Sequence, residues 1–236
     1  MITHRLFLVW LLYITVVTFL VLVGYDLGYI QMALKSDLTY ITYFILLTFI
    51  LSEMYTAFRI FQVNREIEKA KKVRQHLLTT QSFRLDDIPE GILKQHIRNI
   101  MNLMQNKKHD INQRIILDSL GDELNSWNYG NYLGELEVRL GLLGTVVGLI
   151  IAFMPFIEMA FAGTTFESSM IQQTVTQLMI GVSAAFFTTA AGLVFGTLLI
   201  VSGKIYDAGA DNLLDQITII SETIVIPRLE ARYETE

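Results

Sequence analysis

The longest uncharged stretch of this chain is the feature that most limits its fold. Glu167 and Lys204 enclose 36 consecutive residues without a charge. At about 1.5 Å per residue, a helix of that length exceeds the roughly 30 Å hydrocarbon core of a bilayer. The sequence therefore predicts a membrane-spanning helix whose ends project from the membrane, or which tilts within it.

Three further apolar windows have the length of about 20 residues that is needed to cross a bilayer. They lie at 6–25, 38–58 and 140–157, and the long run supplies a fourth window at 174–203. Charged residues make up 17% of the chain, well below the roughly 25% of soluble domains. We therefore predict an all-α, multi-pass membrane protein with four transmembrane helices, a helical insert and long helices that extend beyond the membrane.

The positions of lysine and arginine predict the orientation, because cytoplasmic loops carry an excess of these residues. Twelve of the eighteen lie between Arg59 and Arg114, whereas Lys35 is the one basic residue in a predicted outer loop. Both termini and the insert are therefore expected on the cytoplasmic side.

Composition divides the chain into four segments. They are an N-terminal transmembrane hairpin at 1–58, a cytoplasmic helical insert at 59–138, a second transmembrane hairpin at 139–203 and a C-terminal cytoplasmic helix at 204–236. Apolar residues recur at helical spacing in the insert and in the C-terminal helix,. The apolar stripe of the C-terminal helix is expected to pair with the helix that leaves the second span, or with copies of itself.

The second hairpin carries small residues in place of the bulky residues that suit lipid. At helical spacing the third span has Gly141, Gly144, Thr145, Gly148 and Ala152, and the fourth has Ala185, Thr189, Gly192 and Gly196,. Glycines four residues apart let helix backbones approach closely. These faces are explained either by packing of the two spans against each other or by contact with a helix of another chain.

Acidic and basic residues are scarce in the predicted spans, and such residues mark many ion pathways in membranes. Glu53 is the one acid inside a predicted span, within about 9 Å of the cytoplasmic edge at Arg59 by helix geometry,. Glu53 is either an interfacial carboxylate paired with a base or a proton carrier, and its position favours the first of these interpretations. If this chain moves protons, the acid that binds them is expected to come from another chain.

Two short motifs carry a resemblance to a known family. Leu143-Gly144-Thr145-Val146-Val147-Gly148 matches the L-G-T-V-x-G element of the MotA/TolQ/ExbB proton-channel family, and Thr189-Ala190-Ala191-Gly192-Leu193 matches its T-A-x-G-L element. A sizeable insert before the two signature spans and a helical extension after them are also similar. The chain resembles a four-span member of this family, although Ala184 stands where the TolQ/ExbB branch usually has glutamate.

The resemblance implies a pentamer in the bacterial inner membrane, whose third and fourth spans line a channel. Single-span subunits resembling MotB, TolR or ExbD, in two copies, would supply an aspartate, and ion flow would drive rotation or force. Thr145, Thr189 and Thr188 would lie on the ion pathway. The residues that would pack against the partner helix are Gly141, Gly144, Gly148, Ala152, Ala185, Gly192 and Gly196. No cofactor is expected besides the transported ion, H⁺ or Na⁺, and the sequence does not distinguish these two.

Other classes of function have less support. The four histidines lack metal-ligand spacing, and no phosphate-binding loop or nucleophile elbow occurs, which argues against an enzyme,. The net charge of −5 and the acids interleaved with the basic residues near 69–74 argue against nucleic acid and allow at most contact with lipid headgroups,. A non-conducting membrane scaffold or assembly protein, packed through the same GxxxG faces, is the main alternative.

Overall fold

The computed structural model describes residues 5–37, 39–79, 85, 88–105, 113–126, 128–162 and 168–233. The helices in these ranges are α1 (Arg5–Asp26), α2 (Tyr29–Ser36), α3 (Ile41–Thr79), α4 (Ile92–Gln105), α5 (Gln113–Ser126), α6 (Gly130–Ala162), α7 (Ser168–Ile220), a π-helical turn (Ser221–Val225) and α8 (Ile226–Tyr233). No strand occurs in the described ranges, and the prediction of an all-α fold is confirmed.

Four segments in the described part of the chain are long and apolar enough to cross a membrane. They are Arg5–Asp26, Ile41–Thr79, Leu117–Phe161 and Met170–Ala231. Their number agrees with the four predicted spans, and the chain is a multi-pass membrane protein. Helix α7 has 53 residues and is therefore about 80 Å long, more than twice the thickness of a hydrocarbon core.

The chain forms two compact units. The first, called the lobe below, takes its described residues from Met1–Trp10, Ala57–Asn128 and Lys204–Glu236. The second, called the span unit, consists of the described residues of Leu11–Thr56 and Tyr129–Gly203.

The core of the lobe is built from two apolar stripes with heptad-like spacing. Helix α3 contributes Ile60, Val63, Ile67, Ala70, Val73 and Leu77, and α7 contributes Tyr206, Ala210, Leu213, Ile217 and Ile220. Steps of three and four residues keep each stripe on one side of its helix. The C-terminal stripe therefore shares one core with the helix that follows the second span, which was the first of the two pairings expected.

A π-helical turn separates α7 from α8, just before Pro227. Proline lacks the N–H that an α-helix needs, and a wider turn is one way to accommodate it. Pro227 is the second residue of α8 and has no N–H that would need a partner there,. Ile224, Val225, Ile226 and Leu229 all belong to the core of the lobe. The Nη2 of Arg228 donates to the carbonyl of Leu77 at 2.7 Å.

In the span unit, Asp37 fixes the turn that leads into α3. Its Oδ1 accepts hydrogen bonds from the N and Oγ1 of Thr39 at 2.9 and 2.6 Å, and its Oδ2 accepts one from the N of Thr42 at 2.7 Å. Amides at a helix start have no partner inside the helix, and a carboxylate stabilises them. Burial raises the pKa of Asp37, but these hydrogen bonds from Thr39 and Thr42 outweigh it and lower the pKa below its usual value.

The stability of the lobe is expected to depend on pH through His96 of α4. This side chain is 4% exposed, and burial lowers its pKa from 6.5 to about 4. Between these two values the unfolded chain binds a proton that the folded chain does not, so stability is present above pH 6.5 and is lost as the pH falls towards 4,. The full loss amounts to about 3 kcal/mol.

Melting curves of the purified protein in detergent, recorded between neutral and acidic pH, measure this effect. His96→Gln removes the titrating group, and its melting temperature should change much less with pH than that of the wild type. The exposed His76, changed to glutamine, is the matched control and should keep the wild-type profile. A His96→Gln profile as steep as the wild-type profile would contradict the assignment.

Candidate functional site

Helices α6 and α7 pack through the small residues of the span unit. The contact includes Gly141, Gly144, Gly148 and Ala152 of α6 and Gly181, Ala185, Gly192 and Gly196 of α7. A Cβ atom at Gly144 would lie 2.6 Å from the Cβ of Thr188, and one at Gly192 would lie 2.8 Å from the Cα of Gly141. The two stripes therefore face each other within this chain. That the same residues also pack against a partner helix stays a prediction.

Thr145 and Thr189 come together at this contact. Their hydroxyl groups form a hydrogen bond across the two helices. The Oγ1 of Thr145 also lies 3.2 Å from the carbonyl of Gly141, and the Oγ1 of Thr189 lies 3.1 Å from the carbonyl of Ala185. A hydroxyl has one hydrogen and two lone pairs, so this hydroxyl pair can still accept a hydrogen bond after its own hydrogens are used.

Thr188 does not take part in the hydroxyl pair. It is fully buried, and its hydroxyl donates to the carbonyls of Ala184 and Ala185 in its own helix, both at 3.0 Å. Its side chain lies against Gly144. Of the three predicted threonines, the structure thus brings Thr145 and Thr189 together. The third, Thr188, packs between α6 and α7.

The hydroxyl pair lies beside exposed apolar side chains. Leu142 and Leu149 of α6 are 54% and 39% exposed, and Phe186 and Leu193 of α7 are 71% and 50% exposed. Each of these residues lies three or four positions from Thr145 or Thr189, and so on the same side of its helix. We call these four side chains the apolar face. The half-buried hydroxyl pair therefore lies at the edge of a surface that suits lipid or an apolar helix.

Besides Asp37, two carboxyl groups are buried in the span unit. Glu53 of α3 is 6% exposed, and its Oε2 accepts a hydrogen bond from the Oγ of Ser202 at 3.0 Å. Its assignment as an interfacial acid stays a prediction. Glu137 of α6 is fully buried, with its Oε1 3.2 Å from the Oγ1 of Thr48.

Glu137 was not predicted as a site residue from the sequence, because it lies just before the third predicted span and close to other charges. A signal was present in its spacing. Glu137 precedes Gly141 by four residues and therefore continues the small-residue stripe of α6 by one turn,. Its neighbour Glu135 points to the exposed side, where its Oε2 pairs with the Nη2 of Arg139 at 3.1 Å.

The described residues contain no group of three or more histidine, aspartate or glutamate side chains that could hold a metal ion. The polar groups described in the span unit include hydroxyl groups, backbone carbonyls and the buried carboxyls of Asp37, Glu53 and Glu137.

The comparison with protein families gives one match. The model described as the MotA/TolQ/ExbB proton channel family matches residues 84–219, more than half of the chain. That region includes both signature motifs, the hydroxyl pair and Glu137. The chain belongs to the MotA/TolQ/ExbB proton channel family. The resemblance seen in the motifs is confirmed, and the MotA/TolQ/ExbB family is a family of channels rather than of enzymes. No curated protein and no solved structure matches the chain.

The close contact of α6 and α7 is expected to tolerate no added side chain. A Cβ at Gly192 would lie 2.6 Å from the carbonyl oxygen of Glu137, and Gly192→Ala should lower the free energy of unfolding by about 2 kcal/mol through overpacking. Gly24→Ala is the control, because a Cβ there meets only the side chain of Ile30 at 3.7 Å. Alanine should stabilise that site slightly, since it is the better helix former.

Unfolding of the purified protein by increasing denaturing detergent compares the two variants under the same conditions. Equal midpoints for Gly192→Ala and the wild type would show that the two helices are packed less closely than the structure indicates.

Proposed function

We propose that this chain is the channel subunit of a proton-driven stator in the bacterial inner membrane, with both termini in the cytoplasm. Five copies surround a channel lined by α6 and α7. Two copies of a single-span partner that resembles MotB, TolR or ExbD pass through the ring, and each supplies a titratable aspartate. Proton flow drives rotation of, or force on, that partner.

The observation that carries this proposal is the hydroxyl pair of Thr145 and Thr189 within the region that matches the family. An aspartate on a neighbouring helix needs a hydrogen-bond donor when it is charged and an acceptor when it is protonated. A hydroxyl group provides both by rotating about its C–O bond. Two hydroxyls that are already in contact can exchange these roles with little motion of the backbone.

The apolar face supports the same assignment. A membrane-spanning partner helix is mostly apolar, and it needs an apolar surface with one polar point opposite its aspartate. Leu142, Leu149, Phe186 and Leu193 provide such a surface, and the hydroxyl pair lies at its edge. We propose H⁺ as the transported ion, because the family that matches is described as a proton channel, and Na⁺ is an alternative outcome of the experiment below.

A non-conducting scaffold is the second candidate, and the packing of the glycine stripes within the chain favours it. Helices that meet through small residues make a rigid bundle whether or not an ion passes. The two candidates differ at the threonines. A scaffold should tolerate their loss, whereas a channel should not.

Dissipation of a pH gradient across lipid vesicles tests the proposal. The vesicles contain this chain together with the single-span partner, which we expect to be encoded beside it. Thr145→Val combined with Thr189→Val keeps the side-chain shape and removes both hydroxyls, so most of the proton flux should be lost. Aspartate changed to asparagine in the span of the partner should abolish the flux.

The control is Thr18→Val combined with Thr176→Val. Both of these threonines are exposed, and each donates to the carbonyl one turn back in its own helix. This control should conduct like the wild type. Unchanged flux in the Thr145 and Thr189 variant would argue against the ion-pathway role. If the intact complex carries neither H⁺ nor Na⁺, the scaffold is favoured.

A further inference from the structure

Glu137 is a carboxyl group buried inside a bundle of apolar helices. It is completely inaccessible to solvent, and in the described part of the chain no basic side chain forms an ion pair with it. Its Oε2 has no hydrogen-bond partner among the described residues. An ionised carboxylate in such a place is strongly unfavourable, because neither a cation nor a full set of donors replaces its water.

The oxygen atoms around the hydroxyl of Thr48 also favour the protonated form of Glu137. The Oγ1 of Thr48 lies 2.9 Å from the carbonyl of Ile45, 3.0 Å from that of Phe44 and 3.2 Å from the Oε1 of Glu137. A threonine hydroxyl has a single hydrogen, and the carbonyls at the two shorter distances compete for it. If Glu137 is protonated, its own O–H donates to a lone pair of Thr48, and the single hydrogen of Thr48 is left for the two carbonyls.

A second acid adds to this effect. Glu53 of α3 lies close enough to Glu137 for the two carboxyl charges to interact, and two like charges in one site disfavour the state in which both are ionised. Among the described residues, the polar groups at this acid pair include Ser202 of α7, which donates to Glu53 at 3.0 Å, and Tyr13 of α1. The phenol of Tyr13 interacts electrostatically with Glu53 and donates to the carbonyl of Leu198 at 2.6 Å.

We infer that Glu137 is a proton-binding site of this chain, whose carboxyl group holds a proton at neutral pH and exchanges it while the channel works. The exchange rests on the proposed function, whereas the bound proton does not. This chain then contributes one titratable group to the proton pathway, in addition to the aspartate supplied by the partner.

The binding step is a simple protonation. An incoming proton forms an O–H bond with Oε1 of ionised Glu137, the negative charge is lost, and the new O–H donates to Thr48. On release the O–H bond breaks, the electron pair stays on the oxygen, and the carboxylate again lies beside Glu53. The negative charge of Glu53 then favours protonation of Glu137 again, so the proton-binding site returns to its first state without any change of the backbone.

Glu137 lies where it could bind the proton at a second point of the pathway, in addition to the hydroxyl pair. Eight residues separate Glu137 from Thr145 on α6, which corresponds to about 12 Å along the helix axis. That distance is too long for one hydrogen bond, and a transfer between the hydroxyl pair and Glu137 requires water between them. With the proposed orientation, Glu137 lies on the cytoplasmic side of the hydroxyl pair.

Infrared spectroscopy of the full chain in lipid vesicles tests the bound proton directly. A neutral carboxylic acid has a carbonyl stretch that disappears on ionisation, and this band should be present in the wild type at neutral pH. Glu137→Gln keeps the size of the side chain and should abolish the band. Glu135→Gln is the matched control, because this exposed acid lies two residues away in the same helix, and it should keep the band.

Two results would overturn the inference. One is the absence of a protonated carboxyl band in the wild type at neutral pH, which does not depend on the folding of any variant. The other is a band that persists unchanged in Glu137→Gln. In Glu53→Gln, where the neighbouring charge is removed, the inference predicts that the band disappears at a lower pH than in the wild type.

Proton flux separates this inference from the proposed function. With the partner present, Glu137→Gln should lose most of the flux of the wild type, whereas Glu135→Gln should keep it. Wild-type flux in Glu137→Gln would overturn the exchange of the proton. A band that behaves as expected in a complex that never conducts would leave the proton-binding site in place and refute the channel.

Discussion

The structure of the span unit depends on the contact between α6 and α7, in which the two helix backbones touch at Gly141 and Gly192. Lipid tails are as apolar as leucine, so helices in a membrane gain little by burying apolar surface against each other. Close van der Waals contact has to supply the attraction instead. Gly141 and Gly192 provide it where the backbones meet, and the hydroxyl pair, Thr188 and Glu137 are all positioned by that contact.

Much of this arrangement could be predicted from the sequence, because helical spacing alone assigns residues to faces. Glycines at Gly141, Gly144 and Gly148 follow the helical repeat, and the structure places them on one face of α6. The number of helices able to span a membrane followed from the lengths of the apolar windows. The apolar stripes of the lobe could also be predicted from the sequence. Of the two pairings expected for the C-terminal stripe, the structure shows the one with the helix that follows the second span.

The remainder depends on contacts between helices, which spacing does not determine. Thr188 and Thr189 are adjacent in sequence but differ by about 100° around the helix, and only the structure shows which one reaches Thr145. Glu137 was missed for a related reason. Charged residues near the end of a span are usually solvated, and Glu135 with Arg139 fits that rule. Burial of Glu137 became evident only once α3 was seen to cover it with Thr48.

Packing without side chains also restricts how this sequence can change over evolutionary time. Where Gly181 meets the backbone and Cβ of Ala152, an increase in volume on one helix cannot be balanced on the other, because a Cβ at Gly181 would lie 2.7 Å from the backbone N and Cα of Ala152, and no substitution removes those atoms. Most protein cores change through pairs of substitutions that compensate for each other in volume. Such pairs are therefore not available at this contact. The apolar face has the opposite freedom, since Phe186 and Leu193 can vary with whatever surface they meet. Close relatives of this chain should accordingly differ far more on the apolar face than along the line where α6 and α7 touch.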